Sequence, residues 1–244
     1  MQAIILAAGY ATRLYPLTKD FPKALLSVGG TPLLDHILMQ LDKIPEITDV
    51  HVVSNDKFYP HFCQWAEQKH AEHLHIHNDG TRDDGTKLGA IGDISFVMDA
   101  AKIDDDCLIV AGDNLLMIDY AEFYASYIAH DRAPLLLARK MQDMETLRRF
   151  AVAVLDENNR VSHLIEKPQD PPSDNGVFAL YLYPASVMHM IKQYLAEGNS
   201  PDAPGNYPVW LVPRMPVYAH VTTAPCYDIG THESLREVRA LYGD

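Results

Sequence analysis

Up to about residue 140 the chain alternates short apolar runs with amphipathic stretches, and that alternation limits the fold more than any other feature. The runs Gln2–Ala7, Asp49–Ser54, Leu74–His77, Cys107–Ala111 and Pro134–Ala138 have strand length, and "CLIVAG" and "PLLLA" are almost continuously apolar. A strand solvated on one face alternates in polarity, whereas a continuous run belongs to a strand covered on both faces, as in a parallel sheet. Between these runs Leu33–Lys43, Phe58–Lys69, Gly89–Ala101 and Tyr120–His130 read as amphipathic helices. Strand, helix, strand, helix in this order calls for right-handed crossovers and a layered fold. The expected fold class is α/β, a Rossmann-like three-layer sandwich with a mixed, mostly parallel central sheet.

From about Arg149 the texture changes. "FAVAVLDENNRVSHLIEKP" reads as a hairpin turning at Asp156–Asn159, "GVFALYLYP" as a further strand and Ala185–Glu197 as a helix. "AEGNSPDAPGNYP" reads as a loop, and "MPVYAHVTTAPCYDIGTHESL" as two short strands before a C-terminal helix over 231–242. With no linker, repeat or low-complexity tract between the parts, the later strands are expected to extend the first sheet. The chain is read as one domain, 1–244.

The balance of 20 Lys+Arg against 33 Asp+Glu, a net charge of −13, argues against non-specific binding to nucleic acid or an anionic membrane. It leaves room for a small phosphorylated ligand in a local basic pocket. Cys63, Cys107 and Cys226 are odd in number and widely spaced, so neither a disulfide framework nor a CxxC metal site is indicated. The start "MQAIILAAG" lacks the basic region and apolar core of a signal peptide, and no run reaches the ~20 apolar residues of a membrane span. A cytoplasmic location is expected, and oligomeric state is not readable.

The first strand ends in Ala7-Ala8-Gly9, and Thr12, Arg13 and Lys23 follow closely. Small residues at the C-terminal edge of an open α/β sheet let backbone N–H groups approach a ligand, and the two cations suit phosphate. Taken alone, the stretch is equally a tight turn with solvated basic side chains. It is neither GxxxxGK[ST] nor GxGxxG, which disfavours a nicotinamide oxidoreductase.

"LAAGYATRLYPLTKDFPKALLSVGGTPLL" (6–34) closely resembles the signature of the sugar-1-phosphate nucleotidyltransferases, the NDP-sugar pyrophosphorylase family, whose pattern is LAAGxGTRLxPLTxxxPKxLLxVxGxPLL. Ala11 departs from it, standing where the family usually has glycine. Further matches follow in order: "VAGDN" (110–114), "IEKP" (165–168) and "YDIGTHESL" (227–235). The resemblance implies a nucleotide half, 1–140, and an acceptor half, 141–244. It implies nucleotide contacts at Leu6, Ala7, Ala8, Gly9, Thr12, Arg13 and Lys23, with Asn78, Gly85 and Gly89 near the base and ribose. It further implies catalytic roles for Arg13, Lys23 and Asp113, and Mg²⁺ on Asp113 and Asp228. Glu166, Lys167 and Asn175 would face the acceptor. The implied partners are an NTP and a phosphorylated small molecule, and the implied reaction joins an NTP to a sugar 1-phosphate with release of pyrophosphate. A cytidylyltransferase acting on phosphocholine or another phosphomonoester is the alternative, and an inactive regulatory subunit of the same fold a third reading.

In "NDGTRDDGTKLGAIGDISF" (78–96), Gly85 and Gly89 would let backbone approach a base, and the helix starting near Gly89 would offer free N–H groups. Asp93 places a carboxylate nearby. His73, His75 and His77 share one face of a strand and read as a solvated face, because no Cys or carboxylate set accompanies them as zinc would require. Cys226 reads as a packing residue.

Overall fold

The computed structural model describes residues 1–243. Its first half contains β1 (Gln2–Leu6), β2 (Ser27–Val28), β3 (Thr31–Pro32), α1 (Leu33–Leu41), β4 (Asp49–Ser54), α2 (Tyr59–Glu67), β5 (Leu74–Asn78), α3 (Ala90–Ala101), β6 (Cys107–Ala111), β7 (Asn114–Leu116), α4 (Tyr120–Ala129) and β8 (Leu135–Lys140). The second contains α5 (Met144–Leu147), β9 (Ala151–Leu155), β10 (Val161–Glu166), β11 (Asn175–Tyr183), α6 (Ala185–Ala196), α7 (Asn206–Leu211), β12 (Tyr218–Thr222), β13 (Cys226–Asp228) and α8 (His232–Tyr242).

β5, β4, β1 and β6 run parallel and side by side, with Ile4 opposite His51 on one flank and Ile109 on the other. Successive residues of β1 serve opposite faces, as a period of two requires. Ile4 joins Ile91, Ile94 and Val97 of α3 in one core, while Ile5 joins Leu34 and Ile37 of α1 and Phe62 of α2 in the other. All of these are buried, which is the three-layer arrangement expected from uninterrupted apolar strands. Truncating such a side chain to alanine costs about 2–5 kcal/mol.

The later strands extend the same sheet. β11 lies antiparallel to β6 through Leu180–Tyr183, and its N-terminal part pairs with β9. It also runs against β8, where the register shifts between Phe178 and Tyr181, and β12 completes that edge in parallel with β8. Among the described residues the sheet has nine strands, parallel at its centre and mixed beyond. Among the described residues no helix is long and apolar enough to cross a membrane.

Two expectations are corrected. The 196–208 stretch is not loop throughout, because α7 starts within it: Tyr207, Trp210 and Leu211 fall on one helical face and are buried in the α3 core. The histidine face is solvated only in part: His73 is exposed, whereas His75 and His77 engage neighbouring strands. His77 and His51 of β4 share a ring-nitrogen hydrogen bond at 2.9 Å, His51 also bonds Gln2 Oε1 at 2.8 Å, and His75 bonds Asp49 at 2.9 Å. Their partners sit on neighbouring strands and cannot be seen from β5 alone.

Candidate active site

The C-terminal ends of β1, β4, β5 and β6 open on one side, which is where the ligand crevice of an open α/β sheet lies. A cavity of about 520 Å³ occupies that edge. β1 ends where a side chain takes over from its ladder. Ala7 N–H donates to Val53 O at 3.0 Å, and the buried Asn55 amide takes Ala8 O at 2.8 Å while its own oxygen accepts Phe58 N–H at 3.0 Å. Beyond that clamp, the N–H groups of Gly9, Tyr10 and Ala11 donate to no acceptor among the described residues. Ala11 turns the chain with φ 50° and ψ 41°, the left-handed region, and Thr18 Oγ1 holds its carbonyl at 2.8 Å. Consecutive unpaired N–H groups around a left-handed residue make an anion-binding concavity.

Charged groups converge beside this cradle. Lys23 Nζ is ion-paired with Asp113, which follows β6. Gly112 allows that approach: its N–H donates to Leu6 O at 2.9 Å, and a Cβ there would lie 3.0 Å from the same oxygen. β13 pairs antiparallel with β7, setting Asp228 opposite Asn114, and Ile229 N–H donates to Asp113 O at 3.0 Å. Backbone pairing thus fixes the two carboxylates with respect to each other. Asp228 opens onto the cavity as an exposed residue, yet the protein around its carboxyl displaces enough solvent to push its pKa up to about 6. The Asp113 carboxylate adds to that rise, and Lys23, Arg13 and Lys167 oppose it. The pair is an oxygen-only donor set of the kind a hard divalent cation takes.

β10 ends at Glu166, and Lys167 follows in a left-handed conformation, φ 46°, with its N–H bonded to Phe150 O at 3.1 Å. That turn brings Lys167 to the cavity beside Glu166, 3.4 Å away, and Arg149 and Tyr181 line the same wall. The Arg149 guanidinium makes no hydrogen bond or ion pair among the described residues, although its backbone N–H donates to Thr146 O at 3.0 Å.

Most of the residues singled out in the sequence line this one cavity: Leu6, Ala7, Ala8, Gly9, Thr12, Arg13, Lys23, Gly89, Asp113, Glu166, Lys167 and Asp228. Asn78, Gly85 and Asn175 do not. Asn78 is used within its own loop, donating to Asp56 and accepting Gly80 N–H, while Gly85 N–H caps on Asp83 Oδ1 at 2.9 Å. Asn175 is buried against Ala153 O and the Ser173 hydroxyl. The expected free N–H groups at the start of α3 are also corrected. Ala90 N–H donates to Asp202 O at 3.1 Å and Ile91 N–H to Pro201 O at 2.9 Å, so a distant loop closes that helix end. Cys226 is buried, and burial raises its thiol pKa to about 11, which agrees with packing and not with a nucleophile.

Sequence reading missed Asn55, Arg149, Tyr181 and the 202–205 loop. A buried polar residue directly after an apolar strand was the available signal for Asn55. The others are gathered from across the chain by the fold.

The nucleotidyl transferase family model matches residues 2–244. A Sulfolobus acidocaldarius protein provisionally named a mannose-1-phosphate guanyltransferase is 30% identical over 194 residues, which are 78% of this chain and 50% of that protein. The chain therefore spans about half the length of that relative. A glucose-1-phosphate thymidylyltransferase of Neisseria meningitidis is 28% identical over 257 residues, covering 99% of this chain and 82% of the relative. Among solved structures, one from Bacillus anthracis, provisionally described as a glucose-1-phosphate thymidylyltransferase and crystallised with a sucrose, superposes with a TM-score of 0.85. It shows 25% identity over 100% of this chain and 96% of that one.

Proposed function

The chain belongs to the nucleotidyl transferase family, and from that premise we propose that it transfers a nucleoside monophosphate from an NTP to a sugar 1-phosphate, releasing pyrophosphate and forming an NDP-sugar. One observation carries the reading. An unpaired N–H cradle, the four cations Arg13, Lys23, Arg149 and Lys167, and the carboxylates of Asp113 and Asp228 meet in one cavity at the sheet's C-terminal edge. A site for one monoanion would not need this much positive charge.

In this reading the nucleotide occupies the half 1–140 and the acceptor the half 141–244, within one domain. The N–H groups of Gly9 to Ala11, with Arg13 and Lys23, hold the triphosphate. Lys167 and Arg149 receive the acceptor phosphate on the opposite wall. The acceptor oxygen is already anionic, so no general base is required, and in-line attack on the α-phosphorus expels pyrophosphate. The barrier lies in bringing two anions together, and fixed cations lower it by neutralising charge at positions set in advance. Asp113 and Asp228 would hold Mg²⁺, which when bound supplies further neutralisation across the phosphates. Lys23, tied to Asp113 in the free protein, would then exchange that carboxylate for a phosphate.

Relatives with similar sequences are named for sugar 1-phosphates, which supports a sugar acceptor over phosphocholine. Pyrophosphate release measured over a grid of NTPs, sugar 1-phosphates and phosphocholine tests the reading. Release confined to sugar 1-phosphate wells supports it, and release confined to phosphocholine overturns it.

A further inference from the structure

The residues lining the cavity fall into two groups of different charge, here called its arms. The arm formed by Arg149, Glu166, Lys167 and Tyr181 carries cations. The arm formed by Leu6, Ala8, Gly89 and Asp93 carries none that is unpaired, because Lys87 on its rim is held 2.9 Å from Asp202 and 3.6 Å from Asp84. An anionic acceptor belongs in the first arm, which leaves the second for the uncharged base of the nucleotide. Small side chains and the backbone of Gly89 give that arm a flat wall. A Cβ at Gly89 would lie 2.6 Å from Pro201 O.

At this wall stands a group the transfer chemistry does not use. Asp93, in the first turn of α3, is only 6% exposed, and its Oδ1 is buried without a hydrogen-bond partner. Leaving such an oxygen unsatisfied is costly, and a fold seldom carries one without use. Asp79, close by, accepts from the Thr81 N–H and hydroxyl and faces Asp93 as a second carboxyl. Burial foremost, and then Asp79, push the Asp93 pKa up to about 8, so the free protein keeps a proton between the two groups. With that proton turned to Asp79, the carboxyl oxygen not engaged with Asp79 is an acceptor and nothing else.

Resting on the nucleotidyl-transfer reading, we propose that Asp93 is the base-reading residue and that the base it selects is guanine. Along its pairing edge guanine presents two adjacent donors, N1–H and the 2-amino group. Adenine and cytosine set one amino group beside a ring-nitrogen acceptor. Uracil and thymine offer one N–H between two carbonyl oxygens, and an acidic wall repels both oxygens. A lone buried acceptor in an acidic wall therefore ranks guanine first and uracil and thymine last. Sites built to hydrogen-bond a substrate group discriminate strongly against analogues that lack it.

The test is equilibrium binding of GTP, ATP, CTP, UTP, dTTP and ITP to the full chain by calorimetry, with pyrophosphate release followed in parallel. GTP should bind at least about tenfold tighter than UTP or dTTP, and about tenfold tighter than ITP, which lacks only the 2-amino group. Asp93→Asn should weaken GTP about tenfold and leave UTP within about threefold, since its amide can donate to a carbonyl. Tightest binding of UTP or dTTP, equal binding of GTP and ITP, or an equal loss for every NTP in Asp93→Asn would overturn the assignment. The ITP comparison needs no variant, so it stands even if Asp93→Asn fails to fold. Asp93-dependent GTP binding with no turnover on any acceptor would defeat the transfer reading alone, and no binding of any NTP would defeat both.

Discussion

The Lys23 ammonium and the Asp113 carboxylate, 90 residues apart in sequence, are ion-paired at the cavity wall with both side chains partly buried. Removing either partner leaves an uncompensated charge facing the phosphate cradle. Lys23→Ala and Asp113→Asn should each lower kcat/KM by on the order of 10²-fold or more, while the melting temperature moves only a few degrees. Steady-state kinetics with thermal melts check this, and wild-type turnover in either variant would remove that residue from the catalytic group.

The start of α3 is closed from outside the helix, so Gly89 cannot be replaced without breaking the closure. Its φ of 78° and the 2.6 Å approach of Pro201 O to a Cβ leave no room for a side chain. Gly89→Ala should cost roughly 2 kcal/mol or more in urea unfolding. It should also weaken nucleotide binding, because the 202–205 loop and Gly89 line the same cavity.

Ala11 is the reverse case, a side chain where the backbone asks for none. An L-residue with a Cβ is strained in the left-handed region by about 1–2 kcal/mol, partly offset by the greater freedom of glycine in the unfolded chain. Ala11→Gly should raise stability by up to about 1 kcal/mol, read from denaturant midpoints. An unchanged or lower midpoint would show that the loop holds Ala11 without strain.

His51 makes stability depend on pH. Burial first, then His77 and His75, hold its pKa down at about 4, while in the unfolded chain it protonates near 6.5. Above pH 6.5 both states are neutral and nothing is lost. Between 6.5 and 4 the unfolded chain takes up the proton first, so stability falls as pH falls and levels below about 4. That separation corresponds to roughly 3 kcal/mol. The His77 pKa is lowered by the same cause, burial, and adds with the same sign. Unfolding free energies at pH 7 and 4.5 should differ less in His51→Asn than in the wild type, and NMR titration of His51 should give a pKa well below 6.5.

These cases also show what a sequence can reveal. The central strands were legible because burial on both faces leaves continuous apolar runs such as "CLIVAG", and the observed β6 matches the expected Cys107–Ala111. Arg13, Lys23, Asp113, Lys167 and Asp228 could be singled out because the motifs that carry them resemble a known signature, and all five line the cavity. The capping of α3 by Pro201 and Asp202 was not, since more than a hundred residues separate donor from acceptor and neither carbonyl leaves a mark in the sequence. His51 was missed for the same reason: a neighbour across strands is visible only once the register is known. α7 hid behind Pro208, which the first turn of a helix tolerates but a pattern reading takes as loop.

Whether the cavity joins an NTP to a sugar 1-phosphate is tested by Mg²⁺-dependent pyrophosphate release from the purified full chain, with the nucleotide-sugar product identified by mass. Stoichiometric pyrophosphate and NDP-sugar are expected with at least one NTP and sugar 1-phosphate, abolished by chelation and reduced about 10²-fold or more by Lys23→Ala. NTP consumption without a sugar-linked product, or no release with any pair, would contradict the proposed function.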